Sequence, residues 1–180
     1  SRDSVVLAER ILHSDPLPDP LQALIGEKPE GNPFFVEEVV ASLRESGTLR
    51  LSDGTWTVTG AVDRALVPDT IQDVIMSRID RLREPAKRML QIAAVIGREF
   101  PGQLLHRVAH PENEDGDAIS ELKASELIYE RGELPEVAYT FKHALTQEVA
   151  YGSLLIQHRR TLHERIARAI EESYTDRLSE

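Results

Sequence analysis

The sequence predicts a mostly α, α+β chain in two small domains: a helical domain with a β-hairpin insert, followed by a winged helix. Three observations carry that expectation. Apolar residues recur at the 3.6 period through most of the 180 residues. Aromatics are only 5% of the chain, so Ala, Leu, Ile and Val must fill the core, which suits packed helices. The second half runs through three helical stretches into two short alternating strands, the order of a winged helix.

Taken in order, residues 3–13 place Val5, Val6, Leu7, Ile11 and Leu12 on a short amphipathic helix. The run Asp15-Pro16-Leu17-Pro18-Asp19-Pro20 breaks it and opens another near 20–27, with Leu21, Leu24 and Ile25 on one face. A third helix is expected over 33–46. Pro33 sits in its first turn, where a missing N–H costs nothing. Asn32 is its N-cap, its stripe is Phe35, Val36, Val39, Val40 and Leu43, and Gly47 ends it. Two alternating runs, Leu49–Ser52 and Thr55–Val58, flank Asp53-Gly54 and read as a hairpin.

Thr70 with Asp73 forms the capping box of a helix over about 71–82, whose stripe is Ile71, Val74, Ile75, Ile79 and Leu82. Pro85 begins the next helix, which ends near Ile96 at Gly97. Helices near 101–109 and 115–125 follow. The runs Leu127–Arg131 and Val137–Phe141, flanking Gly132 and Pro135, make the wing. With 85–96 as its first helix, the winged helix spans residues 67–155, after a helical domain over 1–66. Helices at about 142–152 and 157–173 close the chain, and 156–180 is read as a helix leading onward.

Composition narrows the function. The chain has no cysteine, which excludes disulfides and thiolate metal sites and points to a reducing cytoplasm. No apolar run approaches the roughly 20 residues that cross a bilayer, so no membrane partner is expected. The start Ser1-Arg2-Asp3-Ser4 lacks the build of a signal peptide and reads as a piece of a longer protein. The net charge of −10 argues against a partner held through phosphates. There is no GxxxxGK[ST] and no apolar run ending in paired acids that could hold Mg²⁺, so no catalytic residue is assigned. His13, His106, His110, His158 and His163 show no metal spacing, and no metal site is assigned either.

Two phrases stand out: Gly31-Asn32-Pro33-Phe34-Phe35-Val36-Glu37-Glu38, and Phe141-Lys142-His143-Ala144-Leu145-Thr146-Gln147-Glu148-Val149-Ala150-Tyr151. Each puts a special residue, Pro33 or His143, at the mouth of a helix, where the amine end of the backbone can face a ligand. Together with Ala93-Ala94-Val95-Ile96-Gly97-Arg98-Glu99-Phe100, they resemble bacterial signal-transduction ATPases of the AAA-related STAND class. Those proteins are fused to adenylate or guanylate cyclases, to kinases or to transcriptional regulators. The resemblance covers nearly the whole chain and rests on the combination, since any one phrase alone is weak.

The resemblance implies a family order: a P-loop ATPase core, a helical lid, a winged helix and a tetratricopeptide-like superhelix. This chain then corresponds to the lid and winged helix, with the core upstream and the repeat domain downstream as partners in the same protein. It further implies ATP or ADP with Mg²⁺ as ligands of the full-length parent, none being expected in the fragment. Pro33 occupies the lid position that meets the adenine, while Phe34 and Phe35 belong to the core. His143 occupies the position that touches the β-phosphate of ADP, a chemistry that suits an imidazole donor. The alternatives from the residues alone are a helix-start proline packed in a core and a histidine satisfied by a neighbouring backbone group. One departure is that Lys142-His143-Ala144 stands where the plant-resistance version reads Met-His-Asp.

The rival reading is a winged-helix transcriptional regulator that binds DNA. Between 111 and 126 there are six acids (Glu112, Glu114, Asp115, Asp117, Glu121, Glu126) and one base, Lys123. That recognition segment would repel phosphates. A nucleotide-independent scaffold is the third reading.

Overall fold

The computed structural model describes residues 2–13, 16–27, 32–59, 70–109, 115–132 and 137–178. Gly31, Asp15, Pro135, Glu112 and Glu114 therefore lie outside the described residues, as does the expected division after residue 66. Where it is described, the chain is mostly helical with two small antiparallel sheets, the fold class the sequence predicts. It divides into two compact units, Ser1–Arg78 and Ile79–Glu180, each considered by itself.

The first unit holds α1 (Arg2–Leu12), α2 (Asp19–Glu27), α3 (Pro33–Glu45), β1 (Leu49–Ser52), β2 (Thr55–Val58) and most of α4 (Ile71–Arg81). Its core gathers Ala8, Leu12, Leu21, Val36, Val39, Leu43 and Val74 among others, with Phe35 packed against it. The α3 boundaries follow from local chemistry. Asn32 Oδ1 accepts the Phe34 N–H at 3.0 Å, and Gly47 takes φ +71° just past the C-cap Ser46. In the hairpin, Asp53 and Gly54 both have positive φ (50° and 78°), as a two-residue I′ turn requires. Trp56 Nε1 donates to Leu12 O at 2.8 Å and so ties the hairpin to the end of α1. At the start of α4, Thr70 Oγ1 accepts the Asp73 N–H at 3.2 Å and donates to Asp73 Oδ2 at 2.6 Å.

The two compact units part between Arg78 and Ile79, inside α4. The first eight residues of α4 belong with the first unit for two physical reasons. Val74 is part of its apolar core, and Arg78 is bound to Glu38 and Glu45 of α3.

The second unit follows winged-helix order: α5 (Glu84–Ile96), β3 (Glu99–Pro101), α6 (Gly102–Ala109), α7 (Asp115–Ala124), β4 (Ile128–Arg131) and β5 (Ala138–Phe141). Then come α8 (Ala144–Gly152) and α9 (Ile156–Leu178). The central α5 packs against α6, α7, α8 and α9, which explains why Met89, Leu90, Ala93 and Ala94 are all buried. The sheet is three-stranded, in the order β3-β5-β4. The first strand, β3, is absent from the sequence expectation, because three residues ending in Pro101 carry no alternation to read. It exists because β5 offers a partner edge, with Glu99 opposite Thr140 and Phe100 opposite Tyr139. The Phe100 ring lies 5.6 Å edge-on from Phe141 and 5.9 Å from Tyr139. Helix α9 packs on α6 and α5, with Ile166 and Ala169 buried.

The β3–α6 corner depends on a close approach. Gly102 N donates to Val137 O at 2.8 Å. A Cβ there would meet that same oxygen at 3.0 Å and Tyr139 Cε2 at 3.1 Å. Gly102→Ala is expected to cost about 1–3 kcal/mol of stability, measured by urea denaturation. An unchanged midpoint would show that the corner gives way freely.

Candidate functional site

The first phrase folds so that its two ends have opposite fates. Pro33 is exposed at the first turn of α3, Phe34 and Phe35 are half-buried, and Val36 and Glu38 are inside. The proline ring is thus a surface feature of its unit and takes no part in the core. Helix periodicity produces this split, since positions 36, 39, 40 and 43 form the inward stripe and position 33 lies at the helix mouth.

Glu38 is the unforeseen part. Its side chain is 2% exposed and pairs with Arg78, itself 2% exposed, while Glu45 (26% exposed) takes the rest of the guanidinium. Arg78 Nε lies 3.1 Å from both Glu45 oxygens, and Nη2 lies 2.6 Å from Glu45 Oε1. Burial works against the Arg78 charge, yet the bonds to Glu45 and the nearby Glu38 and Glu45 charges hold its pKa above the ordinary arginine value. A signal for this existed in the sequence. Arg78 falls seven residues after Ile71, on the same apolar stripe as Val74 and Ile75, where an arginine must find an anion. Its partners sit 33 and 40 residues away, beyond the reach of local pattern.

The second phrase lies in the other unit, so Pro33 and His143 belong to different bodies. His143 is the N-cap of α8, extended at φ −131° and ψ 142°, directly after β5. Its side chain makes no capping bond to α8; the backbone does that work, with Thr146 N donating to His143 O at 3.1 Å. The ring is half-buried, its Nε2 nitrogen enclosed and outside any hydrogen bond, while the residue is engaged through other atoms.

The phrase is joined to the run 93–100 by three contacts. Gln147 Nε2 donates to Ala94 O at 3.1 Å, Phe141 N donates to Arg98 O at 3.0 Å, and the Phe100 and Phe141 rings touch. Next to His143, Lys142 donates to Glu126 Oε2 at 2.7 Å. Burial opposes the Lys142 charge, but the Glu126 bond and charge hold its pKa above the usual lysine value.

The face that a DNA-binding winged helix would use is α7 and the wing. Its described bases are all held by acids. Lys123 pairs with Glu130, Arg131 with Glu99 at 2.6 Å, and Lys142 with Glu126. Arg83, just before α5, is likewise held by Glu121 of α7, at 2.6 Å. Among the described residues no group of His, Cys, Asp or Glu could hold a metal ion, and no helix is long and apolar enough to cross a membrane.

Compared with known proteins, the chain matches no protein-family model and no curated protein.

Proposed function

We propose that this chain is the regulatory lid and winged-helix portion of a nucleotide-switched signal-transduction ATPase, working in the cytoplasm. It would couple the ATP or ADP state of a larger protein to an attached effector such as a nucleotide cyclase. The observation that carries the reading is the ion pairing of the winged helix: a DNA-reading frame whose α7 and wing cations are each satisfied by a carboxylate of the same chain. Such a face has little charge left for phosphates and suits contacts within a protein.

The nucleotide part of the reading rests on the resemblance of the two phrases, and the positions of Pro33 and His143 are compatible with it. A proline ring exposed at a helix mouth offers a rigid apolar flat to a base. A histidine at a helix N-cap offers an N–H donor beside a positive helix end. The phosphate cradle and the Mg²⁺ acids would come from the upstream core, and the fragment itself would be no enzyme.

Two binding measurements test this. Calorimetry of the 180-residue chain with ATP and ADP, with and without Mg²⁺, is expected to show no tight binding and no turnover. Fluorescence anisotropy against a random duplex pool at about 0.15 M salt is expected to select no sequence. A selected, salt-sensitive site would replace this reading with the transcriptional regulator. Tight nucleotide binding by the chain alone would equally contradict it.

A further inference from the structure

The turn that closes α7 holds a strained residue beside the second phrase. Two backbone bonds end the helix: Glu126 N donates to Lys123 O at 3.0 Å, and Leu127 N donates to Leu122 O at 3.1 Å. A cap of this kind puts one residue in the left-handed region, and Glu126 lies there at φ +52°. Glycine is the usual occupant, and the chain places Gly47, at φ +71°, just past the end of α3. Among the described residues, the other non-glycine residues in this region are His13 and Asp53. Histidine and aspartate enter it several times more readily than most side chains, and glutamate does not. A glutamate held there against its backbone preference points to work done by its side chain.

That side chain grips the second phrase. Glu126 Oε2 accepts from Lys142 Nζ at 2.7 Å, and Lys142 is the residue directly before His143. The lysine is held along its length. Its backbone N–H donates to Leu127 O at 3.0 Å, its ammonium lies 6.0 Å from the centre of the Tyr129 ring, and its side chain is only 20% exposed. Residue 142 is thus tied to the turn between α7 and β4 by main chain and side chain alike, and His143 opens α8 one residue on. We propose that Glu126 is a positioning residue for His143: by fixing Lys142 it fixes the mouth of α8 and with it the contact to phosphate. The role rests on the reading of His143 as a nucleotide contact. An exposed ion pair is worth little by itself. The cap alone would favour glycine at 126, which relieves the left-handed strain.

Glu126→Gly separates positioning from capping, because it removes the carboxylate while relaxing the backbone. The urea midpoint of the chain should stay close to the parent's, and circular dichroism should be unchanged. Native-state hydrogen exchange should nonetheless quicken by about tenfold at the amides of Lys142 and Thr146, which donate to Leu127 O and His143 O. The amide of Gly97, bonded to Ala93 O of α5, should exchange as before. In the full-length parent, ADP release should speed by about three- to tenfold, short of the effect of His143→Ala. Lys142→Met should act alike, and the double variant should add nothing further, since either change breaks the same link. Parental exchange at Lys142 and Thr146 would overturn the proposal, as would effects of the two changes that simply add. A large fall in midpoint with faster exchange throughout would make the pair a support of the whole unit and overturn it as well. If His143→Ala speeds ADP release and Glu126→Gly does not, this role falls while the reading of His143 stands. If neither does, the reading of His143 fails and takes this role with it.

Discussion

Arg78→Met is expected to destabilise the first unit by about 3–5 kcal/mol. The guanidinium is enclosed with Glu38, and removing it leaves a buried carboxylate without its cation. Glu45, a quarter exposed, can turn to water, so the loss falls mainly on Glu38. Replacing both buried partners together, Glu38→Met with Arg78→Met, should recover most of the loss, because an apolar pair of similar volume is often neutral or stabilising. Urea denaturation followed by hydrogen exchange in α3 and α4 reads both variants. If Arg78→Met stays within about 1 kcal/mol of the parent, the ion pair is incidental to the unit. The pH dependence has a definite sign. The Arg78 pKa is raised, so its contribution is fully present at and below neutrality and is lost only as pH climbs through a strongly alkaline range.

This pair also marks where sequence reading stops. Helix starts were legible because their causes are local. Asn32 caps α3 two residues from its partner, Thr70 caps α4 three residues from Asp73, and Pro85 lies in the first turn of α5. The hairpin was legible for the same reason, in Asp53-Gly54. What escaped depends on residues far apart in the chain. Strand β3 exists only through its pairing with β5, some forty residues on by its register from Glu99 to Thr140. The end of the first unit is set by Arg78 reaching α3: its place on the apolar stripe of α4 calls for an anion, but nothing local names Glu38 and Glu45 as the partners.

The candidate residues divide in the same way. That Pro33 and His143 open helices could be read directly, since a proline after an N-cap residue and a residue closing a strand are local features. What surrounds them could not. The exposure of Pro33 follows from how α3 turns its stripe inward, and the setting of His143 follows from Gln147 reaching Ala94 and Phe141 reaching Arg98. The acidity of the recognition segment was plain in composition. That its one base, Lys123, is held by Glu130 of β4 is a fact of the fold.

The proposed role is tested most directly by the rate of ADP release from the full-length parent, measured with a fluorescent nucleotide for the native protein and for His143→Ala. The substitution should leave the fold in place: the side chain makes no capping bond to α8, and alanine at a helix start costs at most about 1 kcal/mol here. A hydrogen bond to a charged phosphate is worth about 1.5–3 kcal/mol, so its loss should weaken the ADP-held resting state by one to two orders of magnitude. The account predicts faster ADP release by about ten- to a hundredfold, raised effector output and a nearly unchanged melting temperature of this fragment. Release at the native rate from a folded His143→Ala protein would contradict it and leave His143 a structural residue.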